Sequence, residues 1–365
     1  MGGTNGYGTV FKVDSSGNAT PLHEFSGKDG ANPLGALIQA SDGYFYGTTN
    51  LGGAKSEGTI FKMDSSGNLT TLYSFTGGAD GAQPSGGLIQ ASDGYLYGAT
   101  LVGGASSAGV VFRTDTSGNI TTLYSFSGGT DGYGPEGSLI QATDGYFYGV
   151  TQNGGDLTCE ILPTSGCGTI FRIDSTGNLT TLYSFTGGAD GANPSEALLQ
   201  GRDGFLYGTT LYGGNSTCSV SAYTGCGTIF KIDTKGNFTT MHEFSGNSDG
   251  GVPYSALIQA TDGDFYGTAT AGGDLSCSVT VSGEGYPTYT GCGTVFKMDS
   301  AGNVNGLYSF TGSPNDGSNP SSSLVQGSDG YFYGTTKWGG TDSLCSYTNN
   351  GGCGTVFQMS GPGGP

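Results

Sequence analysis

Apolar and polar positions alternate with a period of two over short stretches, and Gly, Asp, Ser and Asn separate those stretches. That period places successive side chains on opposite faces of a strand. Around residues 88–126 it predicts four strands: Leu88–Ala91, Tyr95–Thr100, Gly109–Thr114 and Ile120–Phe126. Asp93-Gly94 joins the first two, a pair suited to a tight hairpin because its central positions favour positive φ. Asp115-Thr116-Ser117-Gly118-Asn119 joins the last two. No stretch shows the 3.6-residue period of an amphipathic helix.

The unit recurs. Gly-[Thr/Val]-[Val/Ile]-Phe returns at Gly8, Gly58, Gly109, Gly168, Gly227, Gly293 and Gly354, and the added length between later copies falls in one loop. Four antiparallel strands repeated at about 50–65 residues predict an all-β fold, a six-bladed β-propeller. Blades are expected to start near Leu37, Leu88, Leu139, Leu198, Leu257 and Leu324, in a single domain spanning 1–365. Residues 8–25 are expected to complete the last blade, closing the fold by pairing N- and C-terminal strands. The pattern holds 25 strands where six blades need 24, so Gly8–Val13 and Gly354–Met359 compete for one third-strand position. The displaced copy is expected to be loose; the alternative is exchange with a neighbouring molecule, giving filaments or oligomers.

Composition narrows the function. The 365 residues hold 74 glycines, 22 tyrosines and 19 phenylalanines, so aromatics supply the buried area that glycine does not. A net charge of −18 with 11 Lys+Arg argues against nucleic acid, whose phosphates need clustered cations. No run approaches the roughly 20 apolar residues of a membrane helix, so no membrane insertion is expected. The opening Met-Gly-Gly-Thr-Asn-Gly-Tyr lacks the regions of a signal peptide and suggests a processed or trimmed form.

Eight cysteines fall as near neighbours in the variable loops of successive units. They predict the disulfides Cys159–Cys167, Cys218–Cys226, Cys277–Cys292 and Cys345–Cys353, and with them an oxidising compartment. Zinc is disfavoured, because the spacing is not C-x₂-C and His23 and His242 lie elsewhere in the unit.

The segments Gly-Thr-Ile-Phe-Lys-Met-Asp-Ser-Ser-Gly-Asn-Leu-Thr-Thr-Leu-Tyr-Ser-Phe (58–75) and Asp-Gly-Tyr-Phe-Tyr-Gly-Thr-Thr (42–49) resemble the Gloeo_Verruco (GloVer) tandem repeat of extracellular bacterial proteins. The likeness spans essentially the whole chain. It implies an exported or cell-surface bacterial repeat protein and carries no assigned activity.

The variable loops and the crossovers between units share one end of the blades, where a ligand site is expected. Tyr46, Tyr97, Tyr148, Tyr207, Tyr266 and Tyr333 recur in one position, and Gln39, Gln90, Gln141, Gln200, Gln259 and Gln326 in another; recurrence in every unit points to packing. The crossover aspartates Asp29, Asp80, Asp131, Asp190, Asp249 and Asp316 are candidate calcium ligands, although Asp-Gly-x-x-Pro is also turn chemistry. Trp338 and Tyr212, with Tyr223, Tyr286, Tyr289 and Tyr347 of the cysteine loops, are candidate stacking residues for a glycan or a surface protein.

No Gly-x-Ser-x-Gly, His-Glu-x-x-His or P-loop motif occurs. Paired acids for a hydrolase or lyase would have to come from Asp156, Glu160, Glu284 and Asp342, which nothing in the sequence brings together. The expected function is therefore non-catalytic: extracellular or cell-surface binding and adhesion, without a cofactor other than calcium.

Overall fold

The computed structural model describes every residue except 1, 15–16, 160, 162–165, 219–222, 280–288, 342–351 and 363–365. It consists of strands and turns, and the chain divides into two compact units: Met1–Gly155 with Gly168–Ser184, and Asp156–Cys167 with Phe185–Pro365.

The first unit holds three four-stranded antiparallel sheets. They are formed by Ile38–Gln39, Phe45–Thr49, Thr59–Met63 and Leu69–Ser74; by Ile89–Gln90, Leu96–Thr100, Val110–Thr114 and Ile120–Ser125; and by Tyr133–Gln141, Phe147–Asn153, Thr169–Ile173 and Leu179–Ser184. A separate hairpin, Thr9–Val13 with Ala19–Glu24, precedes them. The second unit repeats the plan with Ala192–Gln200, Leu206–Tyr212, Thr228–Ile232 and Phe238–Glu243, then with Ile258–Gln259, Phe265–Ala269, Thr294–Met298 and Val304–Ser309. In its last sheet the first strand is split into Gly317–Pro320 and Val325–Gln326, followed by Phe332–Gly339 and Val356–Met359. Six such sheets are the blades of a β-propeller, in agreement with the repeat count.

Closure through the terminal strands is not among the described pairings. Thr9–Val13 pairs with Ala19–Glu24, and Val356–Met359 fills the third position of the sixth sheet.

The third strands of the first five sheets are buried on both faces. In Thr169–Ile173 the side chains of Ile170, Phe171 and Ile173 are buried while Arg172 reaches solvent. Within each unit, the phenylalanine that follows a fourth strand packs edge-on against the third-strand phenylalanine of the next sheet. Phe75 lies 5.4 Å from Phe112 and Phe126 5.3 Å from Phe171 in the first unit; Phe244 lies 5.1 Å from Phe296 in the second. Such edge-to-face pairs add roughly 0.5–1.5 kcal/mol each beyond area burial.

The recurrent glutamines bridge neighbouring blades. Gln90 Oε1 accepts the Ser41 amide at 2.8 Å, and Gln259 Oε1 accepts the Arg202 amide at 2.9 Å. Five of the six recurrent tyrosines, all but Tyr333, are buried, and the recurrent tyrosines donate to the aspartate of the Asp-Gly turn, Tyr97 to Asp93 at 2.7 Å and Tyr207 to Asp203 at 2.8 Å. Burial and that bond push the Tyr97 hydroxyl up to about 12.

Candidate functional site

At the turn end of each blade the hairpins are tight. Lys62 of a third strand bonds Asp42 at 3.0 Å and lies 3.8 Å over the Tyr44 ring; Arg113 and Arg172 lie 4.9 and 5.0 Å over Tyr95 and Tyr146. The cations of the third strands are thus engaged within their own blades.

The other end carries the crossovers and variable loops. Each crossover aspartate closes its own turn. Asp80 accepts the Thr76 amide at 2.8 Å, the Thr76 hydroxyl, and the Tyr73 hydroxyl at 2.9 Å. Asp131 does the same with Ser127 and Tyr124, and Asp316 with Thr311 and Tyr308. Asp190 accepts from Thr186. In two turns histidine replaces tyrosine: His23 reaches Asp29 at 2.8 Å and His242 reaches Asp249 at 3.1 Å. Burial pushes the Asp80 carboxyl up, but the bonds from Thr76 and Tyr73 outweigh it and hold it below the usual carboxylate value. Burial together with the bond to Asp80 pushes Tyr73 up to about 12. These six carboxylates hold turns. Among the described residues no group of three or more His, Cys, Asp or Glu is placed to hold a metal ion.

The cysteine loops are tied as the spacing predicts. Cys159–Cys167, Cys218–Cys226 and Cys277–Cys292 are disulfides with Cα separations of 5.7, 5.7 and 5.6 Å. Cys353 is disulfide-bonded too, and Cys345 lies outside the described residues. Replacing both Cys277 and Cys292 by serine is expected to lower stability by roughly 3 kcal/mol, the chain entropy of a loop this long. Urea unfolding of the two proteins measures it, and equal midpoints would refute it.

The aromatic candidates are distributed differently from the exposed rim that the sequence suggests. Tyr212 is buried, its ring 4.7 Å from the half-buried Tyr223. Trp338 is half-buried against the core of the sixth sheet. Tyr289 lies in the short strand Tyr289–Thr290, while Tyr286 and Tyr347 lie outside the described residues. Of the loop acids, Asp156 is spent on Thr158, whose amide and hydroxyl it accepts at 2.9 and 2.7 Å. Glu160, Glu284 and Asp342 lie outside the described residues.

Clefts open at the loop end among the described residues. In the second unit a cleft of about 330 Å³ is lined by Asn215, Thr217, Ser245, Asn247, Leu275 and Thr290, beside Cys218. Among the described residues its walls are hydroxyls, amides and one exposed leucine, with no charged side chain. Leu275 is 48% exposed, as is Leu157 at the same place in the Asp-Leu-[Ser/Thr]-Cys sequence of an earlier loop. An apolar residue repeated beside a cysteine in polar loops was the available signal for this site, and attention to aromatics passed over it. In the first unit a cleft of about 590 Å³ is formed by Tyr7, Ser26, Lys28, Asn32, Leu51 and Ser56 with intervening glycines.

A family model described as the Gloeobacter/Verrucomicrobia repeat matches residues 1–162, 102–281 and 160–346. None of the curated proteins matches the chain. Among solved structures, a provisionally named 6-phosphogluconolactonase of Bacteroides uniformis is similar, with 15% identity and a TM-score of 0.56, over 96% of this chain and 94% of that one. The extracellular domain of the provisionally assigned one-component system BT4673 of B. thetaiotaomicron is similar with 11% identity and a TM-score of 0.56, over 98% of this chain and 37% of that one. A luciferin-regenerating enzyme follows at 12% identity and a TM-score of 0.50, over 91% of each chain. At these identities the likeness is one of fold alone.

One expectation is corrected by these likenesses. The sequence reading classed the chain as no enzyme because linear catalytic motifs are absent. Yet the scaffold is one on which proteins named as a lactonase and a luciferin-regenerating enzyme are built. Blade scaffolds assemble functional groups from loops far apart in sequence, so a missing linear motif excludes nothing.

Proposed function

The chain belongs to the Gloeobacter/Verrucomicrobia repeat family, and from that premise we propose that it is an extracellular recognition protein that binds glycan through clefts at the loop end of its blades. The observation carrying this reading is the cleft beside the Cys218–Cys226 disulfide, where Asn215, Thr217, Ser245, Asn247 and Thr290 surround Leu275. A neutral sugar needs many hydroxyl partners and an apolar surface for its C–H face, and needs no charge. The disulfides stiffen two of the contributing loops, which lowers the ordering cost of binding. Disulfides also fit an oxidising, extracellular setting.

A glycan array with the full-length protein tests the reading. Leu275→Asp is expected to weaken the strongest neutral-glycan signal by about tenfold, while Trp338→Ala, which removes a half-buried ring outside the cleft, leaves it unchanged. An array on which no glycan is retained, or a Leu275→Asp protein that binds like the parent, would sink it. The two leucines at 48% exposure favour a surface protein as the second reading. In that case Leu157→Asp and Leu275→Asp abolish capture of a protein partner and leave the array blank.

A further inference from the structure

The two clefts occupy the same place in the repeat. Each is walled by a Ser-Gly-x crossover: Ser245-Gly246-Asn247 in the second unit, Ser26-Gly27-Lys28 in the first. The third position therefore sets the charge of the cleft, neutral with asparagine and cationic with lysine. The remaining crossovers carry Gly78, Gly129, Gly188 and Ser313 there, so Lys28 is the one cation at this position.

We propose that the first-unit cleft takes a carboxylate-bearing sugar, such as a uronic acid residue, with Lys28 on the carboxylate and Tyr7 against the sugar ring. The proposal rests on the reading of these clefts as glycan sites and adds a ligand class to one of them. Lys28 is exposed and makes no ion pair among the described residues, unlike Lys62 and Lys297. The neighbouring Asp29 does not compete for it, because that carboxylate is held by His23 and by the amide and hydroxyl of Ser26. Tyr7 is 43% exposed, and its ring lies so close over Gly27 that a Cβ there would sit 3.2 Å from the ring. The aromatic surface and the ammonium group thus stand on one crossover. Ser26, Asn32 and Ser56 supply partners for ring hydroxyls, and Ser245 stands in the neutral cleft where Ser26 stands here.

The chain's charge of −18 opposes an anionic ligand at long range. Beyond about 8 Å at physiological salt that repulsion is screened, so it opposes a direct contact between ammonium and carboxylate only weakly. A single point cation amid hydroxyls suits one carboxylate better than a phosphate ester, which calls for several donors around one group.

Calorimetric titration of the full-length protein with glucuronic acid and glucose oligomers of equal length provides the test, alongside the variants Lys28→Asn and Asn247→Lys. Lys28→Asn is expected to lose about tenfold in affinity for the acidic oligomer, with binding of the neutral one unchanged. Asn247→Lys is expected to gain acidic-oligomer binding. If Lys28→Asn binds the acidic oligomer as tightly as the parent, the proposal is overturned while the neutral cleft stands. If the parent binds neither oligomer, both fall.

Discussion

Gly86→Ala is expected to destabilise the first unit by about 3 kcal/mol or more, lowering its melting temperature by roughly 6–12 °C. A Cβ on Gly86 would run into the backbone carbonyl of Gly137 and lie 2.7 Å from the Ser138 amide nitrogen. On the other side, a Cβ on Gly35 would fall 2.6 Å from the Gly86 carbonyl carbon. Three successive blades thus approach one another backbone to backbone, and the obstacle to a methyl group is main chain, which cannot rotate away. Relief requires the blades to separate, and separation weakens the Phe75–Phe112 and Phe126–Phe171 contacts that depend on their spacing. Gly94→Ala is the matched control. Its φ of +84° strains an alanine, but nothing lies within 4 Å of the added methyl, so about 1 kcal/mol is expected. Thermal unfolding followed by near-ultraviolet circular dichroism compares the two. A Gly86→Ala protein no less stable than Gly94→Ala would refute the close-approach account.

The contrast between those glycines shows which features a sequence makes legible. Gly94 sits in an Asp-Gly pair between apolar runs, a local signal, and the hairpin forms where that signal stands. Gly86 sits in a Pro-Ser-Gly-Gly crossover, and what constrains it lies some fifty residues away. Local chemistry therefore disclosed the strands, the turns, the blade count and the disulfides. The first strands were legible only in outline: Leu88–Ala91 was expected, the paired segment is Ile89–Gln90, and in the third and fourth sheets it lengthens to Tyr133–Gln141 and Ala192–Gln200.

The site was less legible because it is built between repeats. Asn215, Ser245 and Leu275 lie some thirty residues apart along the chain and meet only in the folded cleft. Tyr212 follows a strand pattern that would suit either an exposed rim or a core, and it is buried with its ring against that of Tyr223. The crossover aspartates look alike in sequence, and the structure gives each of them donors of its own within seven or eight residues.

The same aspartates set the second large effect, a collective loss of stability in acid. Burial pushes the carboxyls of Asp80, Asp131 and Asp249 up, but bonds from Thr76, Ser127 and Ser245 and from Tyr73, Tyr124 and His242 leave each below its ordinary value. In the hairpin turns, bonds from Asn68, Asn119 and Asn237 draw Asp64, Asp115 and Asp233 down. A carboxyl whose folded value lies below its unfolded value of about 3.9 is held more tightly as the anion, so it stabilises the fold above that pH. The contribution disappears as pH falls through the depressed folded values. Protonation also removes mutual repulsion from a chain carrying −18, which acts the other way. Repulsion among scattered surface charges is screened beyond about 8 Å, whereas each turn loses bonds made at about 3 Å or less, so the local losses prevail. The melting temperature is expected to hold level from pH 8 to 5 and to fall by roughly 10 °C or more by pH 3. Asp131→Asn, which keeps the size of the side chain but cannot accept the same bonds with charge, is expected to melt lower at pH 7 and to lose less on acidification. Stability that rises as pH falls from 5 to 3 would show that charge repulsion governs this fold and that the turn carboxylates contribute little.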